Sequence, residues 1–291
     1  MIIDMHYHLD ERMEPMDRLL HQMDTHGIDR IALVAPMVDP FHVEGAAATL
    51  ANLVRKLLTS RWQFLGRLAY ESTVTKNGKF SVLGKTYNID QQPDNDIVAR
   101  AVGTYPDRFY GWYFINPAVE DAVAKLEKAF ANTGWIGVKC HPFWHRYPVH
   151  WLEDAAAFCV EKGLPLLLHL GGKKDNGDFT WLPKRHPGLT LIYAHAGVPH
   201  YHKLWSYIKD KKNVYIDLSS PYLDEPLRNA ALQALGPEKC LYGTDGPFGY
   251  PSKIDQKYDH GAILAEIERF PIGPSEKEKL LWKNFAEIAG L

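Results

Sequence analysis

The sequence alternates between short apolar segments and longer segments whose apolar residues recur at helical spacing, and no other feature limits the possible folds as much. Eight segments are predicted as β-strands: 1–8, 28–35, 109–115, 135–140, 164–170, 189–194, 214–218 and 240–243. The main predicted helices are 15–26, 46–58, 94–105, 120–132, 151–162, about 200–211, 224–235, and two closing helices near 260–270 and 275–288. Strands joined through helices lie parallel in one sheet. The pattern therefore predicts a (β/α)8 barrel that forms a single domain over residues 1–291.

The competing fold for such an alternation is a doubly wound open sheet. That fold normally carries a glycine-rich phosphate turn after an early strand. The sequence contains neither G-x-G-x-x-G nor G-x-x-x-x-G-K-[ST]. The barrel is favoured, and its active site is expected at the carboxyl ends of the strands.

Residues 60–92 interrupt the alternation. They contain several aromatic residues and glycines without a helical stripe. We interpret them as a long insertion, with a β-hairpin as one candidate for its content. Loops of this length in compact enzymes commonly act as lids or binding segments.

Polar side chains that can bind a metal stand at the predicted carboxyl ends of six strands. They are His6 and His8, Lys139 and His141, His169, His195, Asp217, and Asp245. Residues two apart on a strand point to the same face, so the first two histidines project together. A single histidine at a strand end is more often a hydrogen-bonded structural residue. Because a barrel brings all these strand ends to one mouth, the joint set predicts a metal site there.

The motifs around these residues resemble those of the amidohydrolase superfamily. They are His6-Tyr7-His8, Gly137-Val138-Lys139-Cys140-His141-Pro142, His169, Tyr193-Ala194-His195-Ala196-Gly197 and Gly243-Thr244-Asp245. More narrowly, the chain is similar to the branch with aminocarboxymuconate-semialdehyde decarboxylase, resorcylate-type decarboxylases and dicarboxylate lactonases. Segments 105–109 and 283–286 extend the resemblance, which covers nearly the whole chain except residues 60–92. The motifs are specific for the superfamily and not for one reaction.

The resemblance implies one divalent metal, Zn²⁺ by expectation, held by His6, His8, His169 and Asp245. Imidazole and carboxylate suit Zn²⁺, which lowers the pKa of a bound water toward about 7. By the same resemblance, His195 would be a catalytic general base or electrostatic partner beside that water. Asp245 would be catalytic as well as a ligand, passing a proton.

Lys139 leaves the number of metal ions open. In two-metal members of the superfamily, a lysine at the end of the fourth strand is carboxylated and bridges the ions, and His195 would serve the second ion. In the single-metal branch, the motif Gly-x-Lys-x-His-Pro carries an unmodified lysine. We favour one metal, with Lys139 binding an anionic substrate.

Four residues are predicted to contact the substrate: Lys139, His141, Arg146 and Trp144. Each has an ordinary alternative. His141 would make a structural hydrogen bond, Arg146 would be a solvated charge, and Trp144 would pack at the barrel mouth. Six other histidines lie in predicted loops or helices, where surface positions are expected: His145, His150, His186, His200, His202 and His260.

Composition restricts the class of protein. With 46% hydrophobic residues and a formal net charge of -2, the chain can bury a large core and offers no basic surface for nucleic acid or an anionic membrane. No segment approaches the roughly 18 apolar residues of a membrane helix, and no signal peptide is expected. Three cysteines without C-x-x-C spacing fit buried thiols in a reducing cytoplasm. A small-molecule substrate is expected as the partner, and a homodimer rests on the resemblance alone.

Three functional hypotheses remain from the sequence. The first is a metal-dependent hydrolase of a small lactone, amide or ester. The second is a metal-dependent, non-oxidative decarboxylase of a small carboxylic acid, with aromatic acids as one candidate class. The third is a non-catalytic binding barrel, disfavoured by the complete ligand set. Ser219 and Ser220 follow the seventh strand without a G-x-S-x-G motif, which argues against a serine nucleophile. We choose the hydrolase.

Overall fold

Eight parallel strands form one sheet in the computed structural model, which describes residues 1–41, 45–131, 134–220, 223–248 and 259–291. In chain order the strands of this sheet are β1 (Ile3–His8), β2 (Arg30–Val34), β5 (Phe109–Ile115), β6 (Trp135–Cys140), β7 (Leu166–Leu168), β8 (Leu191–Tyr193), β9 (Val214–Asp217) and β10 (Cys240–Leu241). Each pairs in parallel with the next. The strands are buried almost throughout, as expected when helices cover one face and the other lines the barrel. All eight correspond to strands predicted from the sequence.

Backbone hydrogen bonds between β1 and the segment after β10 close the sheet into a barrel. Met5 N donates to Tyr242 O (3.1 Å), and Asp245 N donates to His6 O (2.7 Å). His8 N donates to Gly246 O at 2.7 Å. The first and last strands therefore carry their polar residues into direct contact. The predicted (β/α)8 barrel is confirmed.

Helices occupy the connections between the strands. They are α1 (Met16–His26), α2 (Gly45–Leu58), α3 (Gln63–Ser72), α4 (Asn95–Thr104), α5 (Ala122–Phe130), α6 (Glu153–Lys162), α7 (Trp181–Arg185), α8 (Tyr201–Ile208), α9 (Glu225–Leu235), α10 (Ala262–Glu268), α11 (Pro274–Glu278) and α12 (Asn284–Ala289). Local sequence fixes several ends: Gly27 adopts the left-handed conformation after α1, and the Asp224 side chain caps the first turn of α9. The predicted helix 120–132 corresponds to α5, and its predicted end at residue 132 lies outside the described residues.

The insertion differs from the prediction for residues 60–92 in two ways. It contains a helix, α3, although no helical stripe was recognised there. The insertion also begins before residue 60. α2 packs on α3 and so belongs to the insertion, whereas α4 packs on β2 and β5 and occupies the position of a barrel helix. The hairpin is present as antiparallel strands β3 (Lys79–Val82) and β4 (Lys85–Asn88). Hence α2, α3 and the hairpin form one additional unit between β2 and α4.

Among the residues that the structure describes, no helix combines the length and apolar character needed to cross a membrane.

Candidate metal centre

His6 and His8 leave the end of β1 on one face and approach the same carboxylate. The Nε2 atoms of both rings lie 3.6 Å from Asp245 Oδ1. Both imidazoles are buried, and Asp245 is nearly so. The strand alternation that made these histidines candidates thus brings two ring nitrogens and one carboxylate oxygen to a common point.

The other nitrogen of each ring is fixed by a protein acceptor. His6 Nδ1 lies 2.9 Å from Asp217 Oδ2, and His8 Nδ1 lies 3.1 Å from the Ala35 carbonyl oxygen. A neutral imidazole that donates from Nδ1 carries its lone pair on Nε2. Both lone pairs are therefore presented toward Asp245, which is the arrangement that supports metal-binding histidines.

His195 joins the cluster from the turn after β8. Its Nε2 lies 3.7 Å from Asp245 Oδ2, and its Nδ1 lies 2.9 Å from Ser219 Oγ. Ser219 donates its own proton to Asp217 Oδ1 (2.6 Å), so Ser219 can only accept from His195. The ligand-type atoms of His6, His195 and Asp245 all lie within 4.8 Å of one another.

The backbone is strained at two of these residues. His195 and Asp245 have φ values of 55° and 60°, in the left-handed region that side chains other than glycine seldom adopt. The Asp245 amide donates to His6 O, and the His195 amide donates to Asp217 Oδ1 (2.8 Å). Strain of this kind concentrates at functional sites, where it aims side chains.

His169, the predicted ligand from the end of β7, reaches the cluster through His195. Its Nδ1 lies 2.9 Å from His195 Nε2. Its Nε2 lies 2.7 Å from the hydroxyl of Tyr70 in α3. The structure therefore brings all four predicted ligands to one mouth, with His169 at the edge nearest the insertion.

Lys139 lies inside the cluster. It is fully buried, and its ammonium donates to His6 Nε2 at 2.9 Å. Burial lowers the pKa of Lys139 to about 8, and the neighbouring carboxylates of Asp245 and Asp217 oppose that shift. The lone pair of His6 Nε2 therefore already faces a positive charge.

Burial dominates the electrostatics of the site. It lowers the pKa of His6, His169 and His195 well below the usual value, and the Lys139 ammonium adds to the effect, although Asp217 opposes the shift at His195; burial also lowers the pKa of His8 to about 3. These rings are neutral at physiological pH, the form that binds metals. Burial also raises the pKa of Asp245, while Lys139 opposes the increase.

The remaining predicted substrate contacts separate into two groups. The buried His141 ring stacks on His169 with centroids 3.9 Å apart, and its Nδ1 accepts from the Trp144 amide. Its buried Nε2 has no hydrogen-bond partner among the described residues. Trp144 is buried and stacks on Phe80 of the hairpin. Arg146 instead is exposed and donates to the Thr75 carbonyl in the insertion. This position agrees with the alternative that Arg146 is a solvated charge and not a substrate contact.

Sequence reasoning missed the contacts that Tyr70 and Ser219 make. Ser219 was considered only as a nucleophile, and Tyr70 had no signal because it is 99 residues from His169 in sequence. Asp217 was noted at the end of its strand, but its contacts with His6 were not. The surface expectation was wrong for two histidines: His145 and His260 are buried, and His260 Nε2 lies 2.8 Å from Glu14 Oε2.

Comparison with known proteins agrees with the motifs at this site. The family model described as amidohydrolase matches residues 3–288. The chain belongs to the amidohydrolase family. No curated protein resembles it closely enough in sequence to count as a match.

Solved structures of similar fold span the amidohydrolase chain. An uncharacterized TIM-barrel protein from Bordetella bronchiseptica is 16% identical, with a TM-score of 0.67 and coverage of 100% of this chain and 99% of that chain. A protein assigned as a 2-pyrone-4,6-dicarboxylic acid hydrolase from Pseudomonas putida is 18% identical, with a TM-score of 0.60 and coverage of 99% and 97%. The manganese-bound 5-carboxyvanillate decarboxylase of Novosphingobium aromaticivorans is 15% identical, with a TM-score of 0.62 and coverage of 100% and 97%. At such identities these likenesses establish the fold.

Proposed function

We propose that the protein is a metal-dependent hydrolase of a small lactone, amide or ester. The observation that carries the proposal is the approach of His6 Nε2 and His8 Nε2 to Asp245 Oδ1, each at 3.6 Å, with both opposite nitrogens held by acceptors. Oriented, neutral imidazoles beside a carboxylate are a typical set of ligands for a divalent cation.

The donor set fits a metal ion by geometry as well as by chemistry. Two ligand atoms about 2.0–2.2 Å from a tetrahedral ion lie about 3.3–3.6 Å apart. Asp245 Oδ1 lies 3.6 Å from the Nε2 atoms of both His6 and His8. The Lys139 ammonium, 2.9 Å from His6 Nε2, is a cation that already contacts one of these nitrogen atoms.

We assign the ligands as His6, His8, His169 and Asp245, and Zn²⁺ as the ion, from the nitrogen-rich donor set. Such an ion supplies Lewis acidity, which activates water and polarises a carbonyl oxygen. One ion is proposed. In this proposal Lys139 is an unmodified ammonium that donates to His6, whereas a carboxylated Lys139 would bridge a second ion.

The chain's own residues would bind the substrate and move protons. Burial raises the pKa of Asp245, so this carboxyl group can hold a proton and release it to a leaving group. His195 Nε2, which carries a lone pair, can accept a proton from water. His141 accepts at Nδ1 and so has its proton on Nε2, where it can donate to a substrate oxygen.

A cavity of about 250 Å³ lies between the insertion and the loop after β6. Its aromatic lining includes Tyr70, Phe143, Trp144, Phe41 and Phe80, and Tyr70 connects it to the cluster through the contact with His169. Within the described residues its lining contains no charged side chain. This environment supports a small substrate with an uncharged, apolar portion.

Decarboxylation of a small carboxylic acid is the second candidate, favoured by the buried Lys139. A fully buried ammonium beside the histidines is suited to binding a carboxylate. Both kinds of enzyme occur among the similar structures, as the 2-pyrone-4,6-dicarboxylic acid hydrolase and the 5-carboxyvanillate decarboxylase.

A substrate panel separates the two candidates. Lactones, amides, esters and aromatic acids are incubated with Zn²⁺-loaded protein, and acid release and CO₂ are both recorded. We expect acid release without CO₂, and its loss in Asp245→Asn. CO₂ from an aromatic acid would replace the hydrolase with the decarboxylase, and the absence of either product across the panel would contradict both.

A further inference from the structure

The Tyr70 hydroxyl connects the insertion to the cluster. Tyr70, near the end of α3, is 7% exposed, and its oxygen lies 2.7 Å from His169 Nε2. Its ring stacks on Phe143 of the loop after β6, with centroids 4.1 Å apart. This contact joins an element outside the barrel to the inner face of the metal centre.

The end of α3 is held in place by a second, independent set of contacts. Glu71 Oε1 accepts from the backbone amides of Gly172 and Lys173 and from Asn176 Nδ2, all in the loop after β7. A Cβ atom at Gly172 would lie 2.9 Å from Glu71 Cγ, so this approach requires glycine. Neighbouring residues of one helix thus contact both the strand-end histidine and the loop that follows it.

The protons at this contact can be assigned from their neighbours. His195 donates from Nδ1 to Ser219, so its Nε2 carries a lone pair. That lone pair faces His169 Nδ1 at 2.9 Å. Two lone pairs cannot face each other at this distance, so either a proton lies between the two nitrogens, or the rings move apart and His169 Nδ1 binds a cation.

Each of these two states assigns a different role to the tyrosine. If His169 donates from Nδ1 to His195, its Nε2 is unprotonated and accepts from the Tyr70 hydroxyl. If His169 Nδ1 instead binds a cation, the ring carries its proton on Nε2 and donates to Tyr70. A hydroxyl can donate or accept, whereas a carboxylate or a carbonyl at the same position would allow only the second state.

We propose that Tyr70 is a positioning residue that keeps His169 Nδ1 directed at the metal centre, so that the insertion completes the ligand set. The inference rests on the proposed function, since it concerns the metal of that same site. It assigns the insertion a role in metal binding in addition to its role in forming the neighbouring cavity. Groups that orient a metal-bound histidine typically change metal affinity by about 10–100-fold when removed.

The test compares Tyr70→Phe with Tyr87→Phe, the same chemical change in the same insertion. Phenylalanine at position 70 keeps the stacking on Phe143 and removes only the hydroxyl. Tyr87 lies in the hairpin, where its ring packs against Phe41 and Phe80, and it serves as the control. Zn²⁺ affinity is measured by competition with a chelator, and the thermal midpoint of each metal-free protein is recorded. We expect a loss of about 10–100-fold for Tyr70→Phe, an unchanged affinity for Tyr87→Phe, and metal-free midpoints close to wild type.

A second measurement uses the wild-type protein alone. Nitrogen-15 NMR of the Zn²⁺-loaded protein reports which nitrogen of His169 is protonated, and we expect Nε2. A proton on Nδ1 would overturn the inference and remove His169 from the proposed ligands, whereas a Tyr70→Phe affinity within twofold of wild type would overturn the inference and leave the proposed metal site intact. A wild-type protein that binds no Zn²⁺ would overturn the proposed function together with the inference.

Discussion

Replacement of Asp217 by asparagine should weaken metal binding without altering any ligand. Asp217 is fully buried and accepts four hydrogen bonds: from His6 Nδ1 (2.9 Å), the His195 amide (2.8 Å), the Ser219 amide (3.0 Å) and Ser219 Oγ (2.6 Å). The two backbone amides and the serine hydroxyl all meet Oδ1, so the oxygen of asparagine must remain there. Its amide group would then face His6 Nδ1, which would have to accept a hydrogen bond instead of donating one.

That exchange moves the proton of His6 to Nε2 and removes the lone pair directed at Asp245. The expected loss in Zn²⁺ affinity is about 10–100-fold, equivalent to about 1.4–2.7 kcal/mol. Chelator competition measures the affinity, and nitrogen-15 NMR of His6 reports the position of the proton. Asp4→Asn is the matched control, because Asp4 is buried nearby but accepts from Thr244 and the His6 amide, not from an imidazole. An Asp217→Asn protein that retained wild-type affinity would refute the tautomer reasoning.

Three further predictions follow from the site and its surroundings. His169→Ala and Asp245→Asn should each abolish metal-dependent turnover, and retention of the full rate by both would show that the ligands are misassigned. Lys139→Met should retain the metal while raising KM for carboxylate substrates about 10–100-fold, because a charge-assisted hydrogen bond is lost; an unchanged KM would exclude this role. Burial lowers the pKa of His145 to about 4, so the unfolded chain binds more protons between pH 6.5 and 4, and stability should fall by up to about 3 kcal/mol as the pH drops through that range. Urea unfolding at pH 7 and pH 4.5 should therefore show a smaller acid loss for His145→Gln than for wild type, and equal losses would contradict this.

The barrel and most of its site were predictable because they depend on local patterns. Apolar runs separated by helical periodicity define each strand, and the fold itself brings the strand ends together. His6, His8, His169, His195 and Asp245 could therefore be grouped without knowing any distance. The structure adds the direction of each ring, which depends on acceptors such as Asp217 and Ala35.

The contribution of the insertion was not predictable, since it depends on packing between distant segments. α3 lacks a recognisable stripe because it packs on α2 along one side and exposes Phe64 and Leu68 on another. Tyr70 meets His169 across 99 residues of sequence, and no spacing rule links them. His145 and His260 were expected at the surface because loop position alone does not reveal that neighbouring elements cover them.

Metal content is the most direct test of the account. Protein purified without chelators is analysed for bound ions, reloaded with Zn²⁺ after dialysis against a chelator, and compared with a His6→Ala and His8→Ala double variant. We predict one divalent ion per chain in the wild type and none in the double variant. A wild-type chain that binds no ion, or a double variant that keeps the wild-type content, would contradict the proposed metal centre, and two ions per chain would replace it with the binuclear form.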